Sequence, residues 1–96
     1  MTNVLIVDAE RVIRSTLKER LEYEGYVVDT AQSRSEATGK LERSAFDVML
    51  CDIEMPVEDG LSLVRWMREQ DMQTKCIFLT AHTEFTYAQR SVGLGA

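Results

Sequence analysis

Val48-Met49-Leu50-Cys51-Asp52-Ile53-Glu54-Met55-Pro56-Val57-Glu58-Asp59-Gly60 is an apolar run that carries into one acid and then breaks into proline, further acids and glycine. A short apolar run of this kind reads as a strand buried within a parallel sheet. Pro56 cannot donate to a ladder and biases Met55 away from the helical region, so the strand has ended by that point. Asp52 therefore falls at the carboxyl end of a strand, the edge on which open α/β sheets place their chemistry. A second run, Val4-Leu5-Ile6-Val7, ends in Asp8, and a third, Cys76-Ile77-Phe78-Leu79, ends in Thr80. Two acids and a hydroxyl at three strand ends make a site for a divalent cation and a phosphoryl group.

Between these runs the pattern alternates strand and helix. After the first strand, with Leu5 and Val7 as inward positions, a helix is predicted from Glu10 to Tyr23, where Val12, Ile13, Leu17, Leu21 and Tyr23 recur at helical spacing. Gly25 supplies its stop. Tyr26–Thr30 alternates and is rich in β-branched residues, which predicts an edge strand. Ser33 or Ser35 caps the next helix, which runs to Arg43. The central strand is predicted over Phe46–Cys51. A helix follows over Gly60–Gln70, its buried side marked by Leu61, Val64, Trp66 and Met67, and then a strand over Lys75–Leu79. A fourth helix is predicted over Thr83–Leu94. Four strand–helix units imply one α/β domain spanning residues 1–96, with a parallel sheet and right-handed crossovers.

Composition narrows the function. The formal net charge is −5, from 11 Lys and Arg against 16 Asp and Glu, and no basic block is present. A surface that binds nucleic acid directly would need a basic face. The apolar runs are far too short to span a bilayer, and Asp8 arrives too early for a signal-peptide apolar region. No membrane association and a cytoplasmic location are therefore expected. Cys51 and Cys76 lie in strand runs and read as small buried hydrophobes. Two distant cysteines and one histidine cannot make a zinc site. Taken singly, His82 reads as a solvated loop residue, and Arg14, Lys18 and Arg20 read as a solvated helix face.

With those residues in view, the chain resembles the receiver domain of bacterial two-component response regulators. The resemblance is carried by Val4–Asp8, by Asp47–Gly60, by Ile77-Phe78-Leu79-Thr80-Ala81, and by Phe85-Thr86-Tyr87-Ala88-Gln89-Arg90 with Gly93-Leu94-Gly95-Ala96. It implies a flavodoxin-like, doubly wound parallel sheet. It also implies that a sensor histidine kinase donates a phosphoryl group to Asp52, with magnesium held by Asp8, Asp52 and the backbone carbonyl of Glu54. In this reading the Thr80 hydroxyl bonds the phosphoryl group, small Ala81 leaves room beside it, and Glu54 and His82 influence its lifetime. The tail is most similar to receivers joined to helix-turn-helix transcription factors, so a DNA-binding output domain absent from these residues is the expected effector. The protein is not expected to be an enzyme beyond catalysing its own modification. Leu5–Glu10 is also similar to the nucleophile loop of haloacid-dehalogenase-type phosphatases, but Glu10 stands where that family has Asp, and its lysine is absent.

Two departures from the receiver pattern matter. Most receivers carry adjacent acids after the first strand; here the pair reads Asp8-Ala9, with Glu10 one position late as a possible substitute ligand. Losing one ligand carboxylate predicts magnesium binding weaker by about 1–2 kcal/mol. A degenerate receiver acting as an interaction module without phosphorylation is the alternative reading. The second departure is that four βα units are present, while the fifth strand, with its lysine, and the fifth helix are missing from these residues. An open fourth strand and a poorly covered sheet face predict association, as a homodimer or a strand-exchanged oligomer.

Overall fold

In a computed structural model of the chain, residues 1–52 and 57–79 are described, those at 57–59 by backbone alone. Four strands, β1 (Asn3–Val7), β2 (Val27–Ala31), β3 (Val48–Asp52) and β4 (Lys75–Leu79), alternate with α1 (Arg11–Tyr23), α2 (Arg34–Arg43) and α3 (Val57–Glu69). All strand pairs are parallel and the order is β2-β1-β3-β4. The chain therefore runs outward from β1 to β2, then crosses back over β1 to β3. The reversal leaves a crevice at the carboxyl ends of β1 and β3, which is where doubly wound sheets bind their ligands. The parallel sheet is the one expected from the alternating pattern, and its order is the flavodoxin-like arrangement that the resemblance implied.

Apolar burial follows the pleat. Leu5, Val7, Ala31, Met49, Cys51 and Cys76 point to the side covered by α2 and α3, where they pack with Ala37, Leu41, Leu63, Val64 and Met67. Val4, Ile6 and Val28 point to the other side, under Leu17 and Leu21 of α1. Both faces of β1 are thus buried, and Val4 and Ile6 are as inward as Leu5 and Val7. A strand covered on both sides loses the alternation that would distinguish one face from the other. The two cores are unequal. Among the described residues, α1 buries no side chain completely, and Val12 and Tyr23 are 74% and 85% exposed. The helical spacing of those two residues marks an outward ridge, a correction to the apolar face read from sequence.

Local chemistry sets the element ends. Gly25 adopts φ +96°. Its N–H donates to Glu22 O at 3.0 Å, and the Tyr26 N–H donates to Leu21 O at 3.1 Å. This is the paired closure that a left-handed residue after a helix permits. Ser33, not Ser35, caps α2, its hydroxyl accepting the Glu36 N–H at 3.2 Å. Helix α3 begins at Val57, three residues before the predicted Gly60. Gly60 is instead inside the helix because α3 lies hard against β4: a Cβ there would sit 2.8 Å from Phe78 Cε1. The central strand starts at Val48 rather than Phe46 because the Phe46 carbonyl is used by the Thr74 hydroxyl, at 2.7 Å. β2 is shifted one residue along, to Val27–Ala31. No helix among the described residues is long and apolar enough to cross a membrane. The predicted helix Thr83–Leu94 lies outside the described residues.

Candidate functional site

Register brings the two strand-end acids together. Val7 pairs with Cys51 across β1 and β3, so Asp8 and Asp52 are the next residues on adjacent parallel strands, whose axes are about 4.8 Å apart. Each is almost completely enclosed, Asp8 at 2% exposure and Asp52 at 7%. Asp8 is fixed from several directions. Its N–H donates to Ala31 O at 3.0 Å, extending the ladder to β2. Its Oδ1 accepts the Glu10 N–H at 2.8 Å, and its backbone carbonyl accepts from Arg14 Nη1 at 2.7 Å.

Burial pushes the Asp8 carboxyl above its ordinary value of 3.8; the Glu10 N–H opposes this, while the charge of Asp52 and a hydrogen bond between the two carboxyl groups add to it. Two enclosed carboxyls side by side make a pocket with too much negative charge, and its donors are all oxygen. That is the environment a hard divalent cation relieves. Asp8 and Asp52 therefore fit a magnesium ion. Ala9 offers no ligand, Glu10 is exposed, and among the described residues no group of three His, Cys, Asp or Glu side chains is placed to hold a metal. A cation here would complete its shell with water and backbone oxygen.

The neighbouring thiol is not a rival nucleophile. Cys51 is fully buried, and burial, with the charges of Asp52, Cys76 and Asp8 added, pushes its thiol up to about 12. It stays protonated at physiological pH, as a structural cysteine does. Leu79, the last residue of β4, pairs with Asp52. Glu54, Thr80, Ala81 and His82 lie outside the described residues. Arg14, which the sequence reading placed on a solvated helix face, is instead half-buried and bonded to Asp8. The i, i+6 spacing across a loop and helix start gave no signal for that contact.

The sequence matches the family of response regulator receiver domains over residues 4–96. The chain belongs to that family. It is 41% identical over 78 residues to the transcriptional regulatory protein TrcR of Mycobacterium tuberculosis, covering 81% of this chain and 30% of TrcR. To the response regulator SaeR of Staphylococcus aureus it is 38% identical over 96 residues, covering all of this receiver and 42% of SaeR. The receiver thus spans less than half the length of these curated relatives. Its fold superposes on the response regulator TrrA of Thermotoga maritima, solved in complex with Mg(2+)-BeF, with a TM-score of 0.81 and 38% identity over 96% of this chain and 80% of that one. The recognition made from strand ends and the Asp47–Gly60 segment is correct, and so is the fold class.

The site makes a pH-dependent contribution to stability. Because Asp8 titrates above its unfolded value, the folded receiver binds the extra proton and the unfolded chain does not. The Asp8 contribution is fully present below about pH 3.8 and is lost as pH rises through the folded value. Asp29 has the opposite sign. Burial raises it, but the hydrogen bonds from Lys40 and from the Thr30 N–H prevail and hold it low. Its contribution is present above its unfolded value and lost as pH falls through the folded one. Urea unfolding of wild type and Asp8→Asn between pH 4 and pH 8 separates the two: the variant is expected to lose less stability than wild type over this rise, and millimolar magnesium to narrow the difference.

Proposed function

We propose that this receiver is a phosphoacceptor switch in which Asp52 takes a phosphoryl group from a sensor histidine kinase. The observation that carries this reading is the pair of enclosed acids, Asp8 and Asp52, at the strand-end crevice. In the transfer, an Asp52 carboxylate oxygen forms a bond to phosphorus while the donor's P–N bond breaks. The departing imidazole nitrogen keeps the electron pair. A carboxylate is a poor partner for an anionic phosphoryl group unless their charges are offset. Magnesium, when bound, supplies that offset and orients the transferring oxygens. Asp8 and Asp52 would hold the cation, and the Glu10 N–H keeps one Asp8 oxygen directed. By the family resemblance, the Glu54 carbonyl would add an oxygen to the metal shell, Glu10 would be the substitute carboxylate, and the Thr80 hydroxyl would donate to a phosphoryl oxygen. Ala81 leaves space there, and Glu54 and His82 tune hydrolysis. The acyl phosphate adds about −1.5 to −2 charge at the crevice, and a cytoplasmic output domain of the kind implied by TrcR reads the change. The activity is self-modification, with no separate substrate turned over.

Ala9 favours a second reading, an interaction module that kept the fold and works without modification. Acetyl phosphate with millimolar magnesium decides between them by intact-protein mass spectrometry. The switch requires the mass of one phosphoryl group, mapped to Asp52. Absence of uptake by a folded receiver, with no response to beryllofluoride, leaves the module. Restoring the acid sharpens the comparison: Ala9→Asp is expected to tighten magnesium binding about tenfold, the worth of one charged contact, measured by calorimetry.

A further inference from the structure

The charges of Asp8 and Asp52 oppose each other where both are ionised, so the place of Asp8 in the crevice leans on its other bonds. The Asp8 N–H is tied to Ala31 O at 3.0 Å and Oδ1 to the Glu10 N–H at 2.8 Å. These leave the peptide plane between Asp8 and Ala9 to be fixed. Arg14 does this. It reaches back from the first turn of α1, half-buried, and donates from Nη1 to the Asp8 carbonyl at 2.7 Å. Its own N–H closes on Glu10 O at 3.1 Å, so the loop carrying Ala9 is gripped on both sides. Ala9 has no polar side chain with which to anchor the turn, and the Glu10 side chain makes no cap bond to α1. A charged donor to a carbonyl is among the stronger neutralising contacts available to a loop.

We infer that Arg14 is the positioning residue of the cation site: its guanidinium holds the Asp8 carbonyl and thereby aims the Asp8 carboxylate at the crevice shared with Asp52. This deepens the phosphoacceptor reading and rests on it. Arg14 touches neither the cation nor the phosphoryl group. With the bond gone, the loop turns so that the two carboxylates draw apart, and the oxygens no longer converge on one ion. Partners that orient metal ligands from behind commonly change affinity by ten- to a hundredfold. With a single loop acid to aim, because Ala9 supplies none, this receiver depends on that grip more than a loop with two acids.

The test uses the full chain and magnesium chloride as the probe. Calorimetry gives the magnesium dissociation constant, nuclear magnetic resonance gives the exchange protection of the Glu10 amide, and thermal unfolding checks the fold. Arg14→Met is expected to weaken magnesium binding on the order of tenfold and to expose the Glu10 amide. The phosphorylation rate at saturating magnesium should stay near wild type, while the magnesium concentration for half-maximal rate rises by the same factor. Arg14→Lys keeps a charged donor of similar reach and should restore affinity to within about twofold. Should Arg14→Met fail to fold, Arg14→Gln, with a weaker uncharged donor, is expected to fall between Met and Lys in affinity. Magnesium affinity and half-saturation in Arg14→Met or Arg14→Gln equal to wild type overturn the inference alone. A wild-type receiver that binds no magnesium and takes no phosphoryl group overturns the phosphoacceptor reading and this inference with it.

Discussion

Asp52→Asn is expected to abolish phosphoryl uptake and, at the same time, to make the metal-free receiver more stable. The first effect follows from chemistry. An amide has neither the charge nor the free oxygen pair to attack phosphorus, and the other strand-end acid, Asp8, is engaged by the Glu10 N–H. The enclosed thiol at Cys51 stays protonated and cannot substitute. Uptake from acetyl phosphate, read by mass spectrometry, should fall below detection. The second effect follows from the neighbourhood. Asp52 and Asp8 meet in a nearly closed crevice and the charge of one raises the other. Two unit charges about 4 Å apart repel by about 1 kcal/mol even at the dielectric constant of water, so neutralising one at pH 8 should raise the unfolding free energy by at least about that much. Magnesium should then reverse the ranking. It stabilises wild type through binding to the folded state and has half a site in the variant. A substitution that gains stability while losing function is the expected mark of a site organised against its own electrostatics. Equal unfolding midpoints for wild type and variant, with and without magnesium, would contradict the placement of the two acids.

The second large effect belongs to the core. Leu63 is fully buried in the cluster between the sheet and α2 and α3. Leu63→Ala leaves a cavity within that fully buried cluster and should cost about 3 kcal/mol. The small-domain total is on the order of 5–15 kcal/mol, so this is a large share of it. Val12→Ala on α1 removes an apolar side chain that stands in solvent and should stay within about 0.5 kcal/mol. Urea unfolding followed by Trp66 fluorescence compares them directly, since Trp66 packs against the same cluster. Comparable losses from the two substitutions would mean that α1 carries more of the core than its exposure indicates. The contrast also explains where the receiver is weak. One side of the sheet is sealed by two helices, while the other has α1 alone among the described residues, with Val48 and Leu50 only half-buried beneath it.

The strands and their order of appearance were legible because each is a short apolar run bounded by a turn residue. The helix ends were legible where one residue has one job, as at Gly25, whereas the choice of Ser33 over Ser35 as the α2 cap was made by the structure. Errors arose where two demands meet in one residue. Gly60 looks like a helix boundary because glycine is a poor helix former, yet it is inside α3 because Phe78 leaves no room for a Cβ. Val12 and Tyr23 keep helical spacing but face outward, since periodicity fixes which residues share a side and not what that side meets.

By itself the sequence determined the alternating α/β class, the acids that close two of the strands, the missing acid at Ala9 and the family. These are properties of local pattern, readable wherever a residue's role depends on its immediate neighbours. Only the tertiary structure decided that β1 and β3 are adjacent, so that Asp8 and Asp52 meet, and that Arg14 reaches back to the Asp8 carbonyl. Strand order comes from which helix covers which face, a competition among distant apolar surfaces. The grip of one long side chain on a loop carbonyl depends on atomic distances that residue spacing does not encode.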